Sequence, residues 1–175
     1  MLFLPVLKKE KLTPGAALAK LMTYCRYQER CHQEVREKLA GYGVVGKDAD
    51  EITARLIEEN FLNEERFAIQ FAGGRFRIKQ WGRQKIELAL KRKGVSPWCI
   101  KRAMSEIEEP GYESAFEKLA EKQWSLLVGR GSWLARKQKF FRALCSRGYE
   151  TERIQRFLTE KEIAERQKRN GKKKS

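Results

Sequence analysis

Residues 81–95, "WGRQKIELALKRKGV", decide the fold. Apolar Ile86 and Leu90 lie four residues apart, and Gly94 follows Leu90 after another four. This spacing is typical of a helix that buries one face, and a glycine just past the last turn is typical of a helix end. The stretch also carries five cations: Arg83, Lys85, Lys91, Arg92 and Lys93. A helix that packs on one face does not need this charge, so it calls for a separate explanation.

Two other stretches share the spacing, "EVREKLAGYGV" at residues 34–44 and "FFRALCSRGY" at residues 140–149. In each of the three, an apolar residue, a leucine and a glycine follow one another at intervals of four. The residues concerned are Val35, Leu39 and Gly43; Ile86, Leu90 and Gly94; and Phe140, Leu144 and Gly148. A second apolar pair follows each glycine: Ile52 and Leu56, Ile100 and Met104, Ile154 and Leu158. The chain therefore contains a threefold internal repeat.

A further helix is predicted before each copy, at residues 16–28, 63–78 and 112–127. Thr13-Pro14 and Ser96-Pro97 each place a capping hydroxyl before a proline suited to a first helical turn. Glu109-Pro110-Gly111 is predicted to be a break between helices. The predicted fold is all-α, with three tandem three-helix repeats in an elongated, curved arrangement. Its parts are an N-terminal tail (1–14), repeat 1 (15–62), a basic repeat 2 (63–108), repeat 3 (109–161) and a basic C-terminal tail (162–175).

The charge of the chain favours a polyanionic partner. Lys and Arg total 38 against 23 Asp and Glu, for a net charge of +15 and a pI near 9.9. Cations that neutralise phosphates release condensed counterions, which drives binding to nucleic acid. The excess is unevenly placed: the net charge is −1 over residues 15–62, +7 over residues 63–107 and +3 over residues 108–161. The middle repeat is thus the most electropositive.

Three blocks of the sequence resemble the RecX family, bacterial regulators of the RecA recombinase. They are "YQERCHQEVREKLAGYG" (27–43), "IEENFLNEERFA" (57–68) and the opening stretch from Gly82 to Gly94. The resemblance covers residues 17–158. It implies three tandem three-helix repeats and a mainly negative regulator that binds the RecA–single-stranded DNA filament and limits its ATPase, strand exchange and growth. Cys31 departs from the family, since many relatives have a capping serine there, so Glu34 or water is expected to cap that helix instead.

The candidate contact residues follow from a helical wheel of the opening stretch. Ile86 and Leu90 define the inward face, Lys85, Lys91 and Arg92 point outward, and the remaining two cations flank the apolar stripe. Basic residues interleaved with Phe76 and Trp81 add a pattern that suits single-stranded nucleic acid. The full set comprises Arg75, Arg77, Lys79, Arg83, Lys85, Lys91, Arg92, Lys93, Arg136, Lys137, Lys139, Arg142 and Arg147. A solvated face explains the same charges, and Phe76 and Trp81 also suit a core.

Two other classes of function fit the sequence less well. A general DNA-binding protein or a helix-turn-helix transcription regulator is the alternative, but two of the three third helices open with acidic residues that repel phosphate. No catalytic or nucleotide-binding motif occurs, and the four cysteines and His32 lack zinc-ligand spacing. We expect no catalytic residues, cofactor or metal, a cytoplasmic monomer with reduced thiols acting in DNA repair, recombination and the SOS response, and no membrane contact. The apolar "MLFLPVL" at the N-terminus is too short to span a bilayer.

Overall fold

The structure is a computed structural model that describes residues 11–172, without the side chains of residues 168, 169, 171 and 172. All regular secondary structure in that range is α-helical, which confirms the predicted all-α class. The helices are α1 (Pro14–Tyr27), α2 (His32–Gly41), α3 (Lys47–Glu58), α4 (Glu64–Arg77), α5 (Arg83–Arg92), α6 (Pro97–Ser105), α7 (Glu109–Ser125), α8 (Trp133–Ser146) and α9 (Thr151–Lys172). Among these helices, none combines the length and the apolar character needed to cross a membrane. The "MLFLPVL" segment lies outside the described residues.

The repeated glycines end the second helix of each triplet, as predicted. Gly43, Gly94 and Gly148 have φ angles of +73°, +71° and +83°, in the left-handed region that glycine adopts without strain. In each copy the amide of the residue after the glycine donates to the carbonyl of the repeated leucine. The donors and acceptors are Val44 to Leu39 (3.0 Å), Val95 to Leu90 (3.2 Å) and Tyr149 to Leu144 (3.3 Å). One closing geometry therefore turns the chain towards the third helix three times.

The helix starts agree with the predicted caps and correct one predicted break. Thr13 Oγ1 accepts from the amide of Ala16 at 3.3 Å, and Ser96 Oγ accepts from the amide of Cys99 at 3.4 Å. The predicted break at Glu109-Pro110-Gly111 is wrong, because α7 already begins at Glu109 and has its proline in the first turn. A proline suits that position, where its missing N–H has no helical acceptor. The break instead precedes Glu109.

Within the described range the chain divides into two compact units. One contains the residues up to Gln70 together with Leu90–Arg102, and the other contains Phe71–Ala89 together with the residues from Ala103 onward. Each of α4, α5 and α6 contributes to both units. The repeat boundaries 15–62, 63–108 and 109–161 stay a prediction. The segment after Lys161, which we predicted as a basic tail, continues α9 as far as Lys172.

Each unit has its own apolar core. In the first unit, side chains of α1, α2 and α3 pack together around the fully buried Leu21, Leu39 and Leu56. The second unit is rich in aromatic rings: Phe140 stacks on Phe157 with centroids 5.1 Å apart, and further rings surround them. The buried aromatic side chains of this unit are Tyr112, Phe116, Trp124, Phe140, Tyr149 and Phe157. Burial of large rings of this kind dominates the stability of a small core.

Candidate nucleic-acid and protein interface

The start of the basic helix α5 is fixed by the turn between α8 and α9. The amide of Gly82 donates to the carbonyl of Arg147 at 2.7 Å, and the amide of Gln84 donates to the carbonyl of Gly148 at 3.2 Å. Between them, the amide of Arg83 donates to the hydroxyl of Tyr112 at 3.1 Å. These amides belong to the first helical turn, where N–H groups lack acceptors inside the helix. Carbonyls at the end of α8 satisfy the amides of Gly82 and Gln84, and this requires a very close approach of the two backbones.

Glycine makes this approach feasible. A Cβ atom at Gly82 would overlap the carbonyl of Gly148 and lie 2.5 Å from the amide nitrogen of Tyr149. A Cβ atom at Gly148 would in turn overlap the backbone and Cβ of Lys85. The absence of side chains at Gly82 and Gly148 therefore permits the close approach of α5 and the α8–α9 turn.

Two of the candidate cations at this end of α5 have partners within the protein. The Arg83 guanidinium binds Glu109 Oε2 at 2.6 Å and the carbonyl of Ile107 at 2.6 Å, and it lies 4.2 Å from the ring centre of Tyr112. Lys85 Nζ donates to the carbonyl of Ser146 at 2.9 Å and lies 4.7 Å from the ring centre of Trp81. Both cations therefore help to hold the start of α5 against the residues around Glu109 and against the end of α8.

At the other end of α5, Lys93 contacts the first helix triplet. Its Nζ binds Glu34 Oε1 at 2.8 Å, and Glu34 Oε2 accepts from the amide of Cys31 at 3.2 Å. This second bond is the carboxylate half of a capping box, in which Glu34 at the third helical position accepts from the amide of the N-cap residue Cys31. The prediction that Glu34 supports the start of α2 is confirmed. One half-buried carboxylate therefore caps a helix and pairs with a candidate cation at the same time.

Glu34 gives a pH-dependence prediction. Burial alone raises its pKa, but hydrogen bonds from Lys93 and from the Cys31 amide outweigh burial and hold the pKa below its ordinary value. A lowered folded-state pKa means that the stabilisation is complete above about pH 4.3, the ordinary glutamate pKa, and is lost as the pH falls through the folded-state value. The stability difference between wild type and Glu34→Gln, measured by urea unfolding, should therefore shrink as the solution becomes acidic. Glu58→Gln, at an exposed carboxylate on α3, is the control, and a Glu34→Gln difference that is the same at every pH would contradict the assignment.

The candidates on α4 lie against its aromatic and glycine residues. The Arg75 guanidinium lies 4.8 Å from the ring centre of Phe71 and 5.1 Å from that of Trp81. The Arg77 guanidinium folds back over Gly73, where a Cβ atom would lie 2.7 Å from its Nη2. A glycine pair late in a helix suits either a kink or close packing. At Gly73 the crowding comes only from the flexible end of the Arg77 side chain on the same helix, whereas at Gly74 a Cβ atom would meet nothing within 4 Å.

The candidates on α8 fall into two kinds. Arg136 is 9% exposed, binds Glu165 Oε1 at 2.9 Å and lies between Trp124 and Trp133, with ring centres at 5.4 and 5.3 Å. Lys137 and Arg142 are exposed on the opposite side of the helix, where an open groove of about 420 Å³ runs along the surface. Its lining residues are Leu134, Lys137, Gln138, Phe141 and Arg142. Lys139 is also exposed, and Arg147 is the half-buried C-cap residue of α8.

Most of the thirteen candidate residues have exposed side chains, and they make parts of the surface positively charged. The exposed cations are Arg77, Lys79, Lys91, Arg92, Lys137, Lys139 and Arg142, and Arg147 is half-buried. They occupy the C-terminal end of α4 and the segment that follows it, the end of α5, and α8 with its C-cap residue. Such cations can bind phosphates or an acidic protein surface without any base-specific contact.

Two arginine networks were not among the predicted contact residues. Arg66 binds Glu29 at 2.6 Å and both the side chain and the carbonyl of Asn60 at 3.0 Å. Arg153 pairs with Glu109 at 2.5 Å and also with Glu113. Their partners lie 6 to 44 positions away along the chain. Arg66 belongs to the second block that resembles the RecX family, but nothing in the sequence predicted that Glu29 and Asn60 accept its hydrogen bonds.

The cysteines do not form a metal centre. All four are free thiols, and Cys25, Cys31 and Cys99 are buried, with burial raising the pKa of Cys25 to about 11. Within residues 11–172, no three His, Cys, Asp or Glu side chains come together as ligands would.

The fold and its surface define a class of protein: an all-α chain built from successive groups of three helices, with exposed cations. A family model described as the second three-helix domain of RecX matches residues 63–104. A regulatory protein RecX of Clostridium perfringens (strain 13) is 35% identical over 140 residues, which make up 78% of this chain and 65% of that protein. A regulatory protein RecX of Prosthecochloris aestuarii is 28% identical over 82% of this chain and 92% of its own length. The chain belongs to the RecX family.

A solved structure agrees with the fold. The crystal structure of RecX from Lactobacillus salivarius matches 86% of this chain and 97% of its own chain, with a TM-score of 0.74 at 21% sequence identity. The chain spans 65% and 56% of the length of two Clostridium perfringens relatives. Similarity at this level of identity establishes the fold, and the name of the relatives describes a regulatory protein.

Proposed function

We propose that this chain is a mainly negative regulator of the RecA recombinase. It binds the RecA–single-stranded DNA filament and limits its ATPase activity, strand exchange and growth. Membership of the RecX family carries this proposal, and the exposed cations of α4, α5 and α8 support it because the filament is rich in phosphate. The chain acts by binding, as a cytoplasmic monomer without a chemical step of its own, in DNA repair, recombination and the SOS response.

The proposal is tested with RecA on single-stranded DNA. Titration of this protein should lower the DNA-dependent ATP hydrolysis of RecA, and filament length measured by electron microscopy should fall in parallel. Absence of inhibition at every ratio, combined with tight duplex binding that prefers one sequence, would favour a transcription regulator instead.

The exposed end of α5 gives a narrower prediction. Replacement of Lys91 and Arg92 by Gln should flatten the salt dependence of filament or DNA binding, by up to about 0.7–0.9 in the log–log slope for each phosphate that is no longer neutralised. Lys85 is left unchanged because its ammonium group binds the carbonyl of Ser146. Binding isotherms at several salt concentrations measure the slope.

Lys118→Gln with Lys122→Gln is the matched control, since it removes the same charge from exposed positions of α7. Equal slopes for both double variants would show that only net charge matters and that α5 has no specific contact with phosphate.

A further inference from the structure

An open groove of about 660 Å³ lies between α1 and α2, in the repeat whose net charge gave no reason to expect a nucleic-acid site. Its lining residues are Ala19, Lys20, Thr23, Tyr24, Tyr27, Lys38 and Tyr42. None of the thirteen candidate residues named from the sequence is among them. The groove therefore combines three tyrosines and two lysines without an acidic side chain.

The net charge of −1 for this repeat conceals a separation of charge. Several of its acids pair with cations that do not line the groove: Glu29 with Arg66, Glu34 with Lys93, Asp50 with Arg36, Glu51 with Lys47 and Glu59 with Arg55. Helix α1 contains no Asp or Glu at all. In the described part of the chain, neither Lys20 nor Lys38 forms an ion pair. The groove is consequently electropositive although the repeat is not.

The two lysines converge on the tyrosine rings. Lys20 Nζ lies 5.7 Å and Lys38 Nζ lies 5.8 Å from the ring centre of Tyr42, and Lys38 Nζ is also 5.3 Å from that of Tyr24. Tyr24 and Tyr42 are half-buried, whereas the Tyr27 side chain is 87% exposed. Because the exposed Tyr27 ring lines the same groove as the two ammonium groups, the groove can bind phosphates and a base at once.

We propose that the α1–α2 groove is a contact site for single-stranded nucleic acid. A base stacks on Tyr27, and the flanking phosphates bind Lys20 and Lys38. This assignment rests on the proposed function, to which it adds a DNA contact in the first repeat. Single strands fit better than duplex because only unpaired bases offer their faces to a tyrosine ring. Stacking tolerates any base, in keeping with a regulator that acts along a strand without regard to its sequence.

The decisive comparison uses two strands of equal charge, an oligodeoxythymidylate and an abasic deoxyribose-phosphate strand of the same length, both without RecA. Tyr27→Leu should weaken binding to the thymidylate strand about fivefold or more, the lower end of what one stacked base contributes. It should leave binding to the abasic strand unchanged, since that strand has no base to stack.

The lysines should behave differently from the tyrosine. Lys20→Gln with Lys38→Gln should weaken binding to both strands and flatten the salt slope by about 1.4, or about 0.7 for each contact with a single strand. Lys47→Gln with Lys118→Gln, at exposed positions outside the groove, removes the same charge as a control. All of these side chains are exposed, so unfolding midpoints should match the wild type.

Stacking can be measured directly with Tyr27→Trp. The thymidylate strand should quench the tryptophan fluorescence of this variant more than that of the wild type, and the abasic strand should not. If Tyr27→Leu binds both strands with the affinity of the wild type, the proposal is overturned. A Tyr27→Leu variant that keeps its DNA affinity but no longer inhibits RecA also overturns it, and would assign the groove to an acidic protein surface. Because the strand-binding assays contain DNA alone, a negative result in them leaves the inhibition of RecA by the wild type as a separate result.

Discussion

Gly82→Ala is expected to destabilise the protein by about 3 kcal/mol, the upper end of the usual cost of inserting a carbon into packed structure. The new Cβ atom would overlap the carbonyl of Gly148, a backbone group that cannot rotate away. Relief requires separation of α5 from the α8–α9 turn, which also lengthens the bonds from the Gly82 and Gln84 amides to their carbonyl acceptors. Urea unfolding should show a lower midpoint for the variant than for the wild type.

Two other glycines provide matched controls. A Cβ atom at Gly111, inside α7, or at Gly94, after α5, meets nothing within 4 Å. Gly111→Ala should stabilise the protein by up to about 1 kcal/mol through helix propensity. Gly94→Ala should cost about 1 kcal/mol because its φ of +71° disfavours a side chain. A Gly82→Ala variant as stable as Gly111→Ala would show that α5 and the turn do not approach so closely.

The glycines also show how far the sequence predicted the fold. The spacing of Ile86, Leu90 and Gly94 has a local cause, since an apolar stripe and a left-handed residue specify a helix and its end. For that reason the nine helices of the described range and their three repeated turns were predictable. The start of α7 was placed wrongly because a proline both ends and begins helices, and the letters around Pro110 do not say which.

The candidate contacts were less predictable for a different reason. A helical wheel separates the buried side of α5 from the rest, but it does not show which outward residues meet another part of the chain. Lys85 finds its acceptor in the carbonyl of Ser146, 61 positions later, and Lys93 binds Glu34, 59 positions earlier. In α5 the sequence predicted contact residues that are paired within the chain, whereas in the first repeat it missed candidate contact residues. A net charge of −1 hid the lysines of the α1–α2 groove, although the absence of acids from α1 was visible in the sequence.

Leu90→Ala should lower the free energy of unfolding by about 2–5 kcal/mol, the range for leucine truncation in a packed core. Leu90 is fully buried, and its carbonyl accepts the amides of Lys93 and Val95 at 3.0 and 3.2 Å. The substitution keeps this backbone closure, so the destabilisation is attributable to the side chain, through reduced burial and the cavity left behind. Denaturant unfolding with an unchanged slope would assign the effect to the native core.

Leu88 on the same helix supplies the control for this truncation. Its side chain is 48% exposed, so Leu88→Ala removes the same atoms while forfeiting much less burial, and we expect a destabilisation under about 1 kcal/mol. The contrast between the two variants tests the register of α5 directly, since a shift of the helix by two residues would exchange their effects. The same register leaves Lys91 and Arg92 exposed. A large destabilisation for Leu88→Ala and a small one for Leu90→Ala would therefore also remove the basis for assigning those two cations to a phosphate-bearing partner.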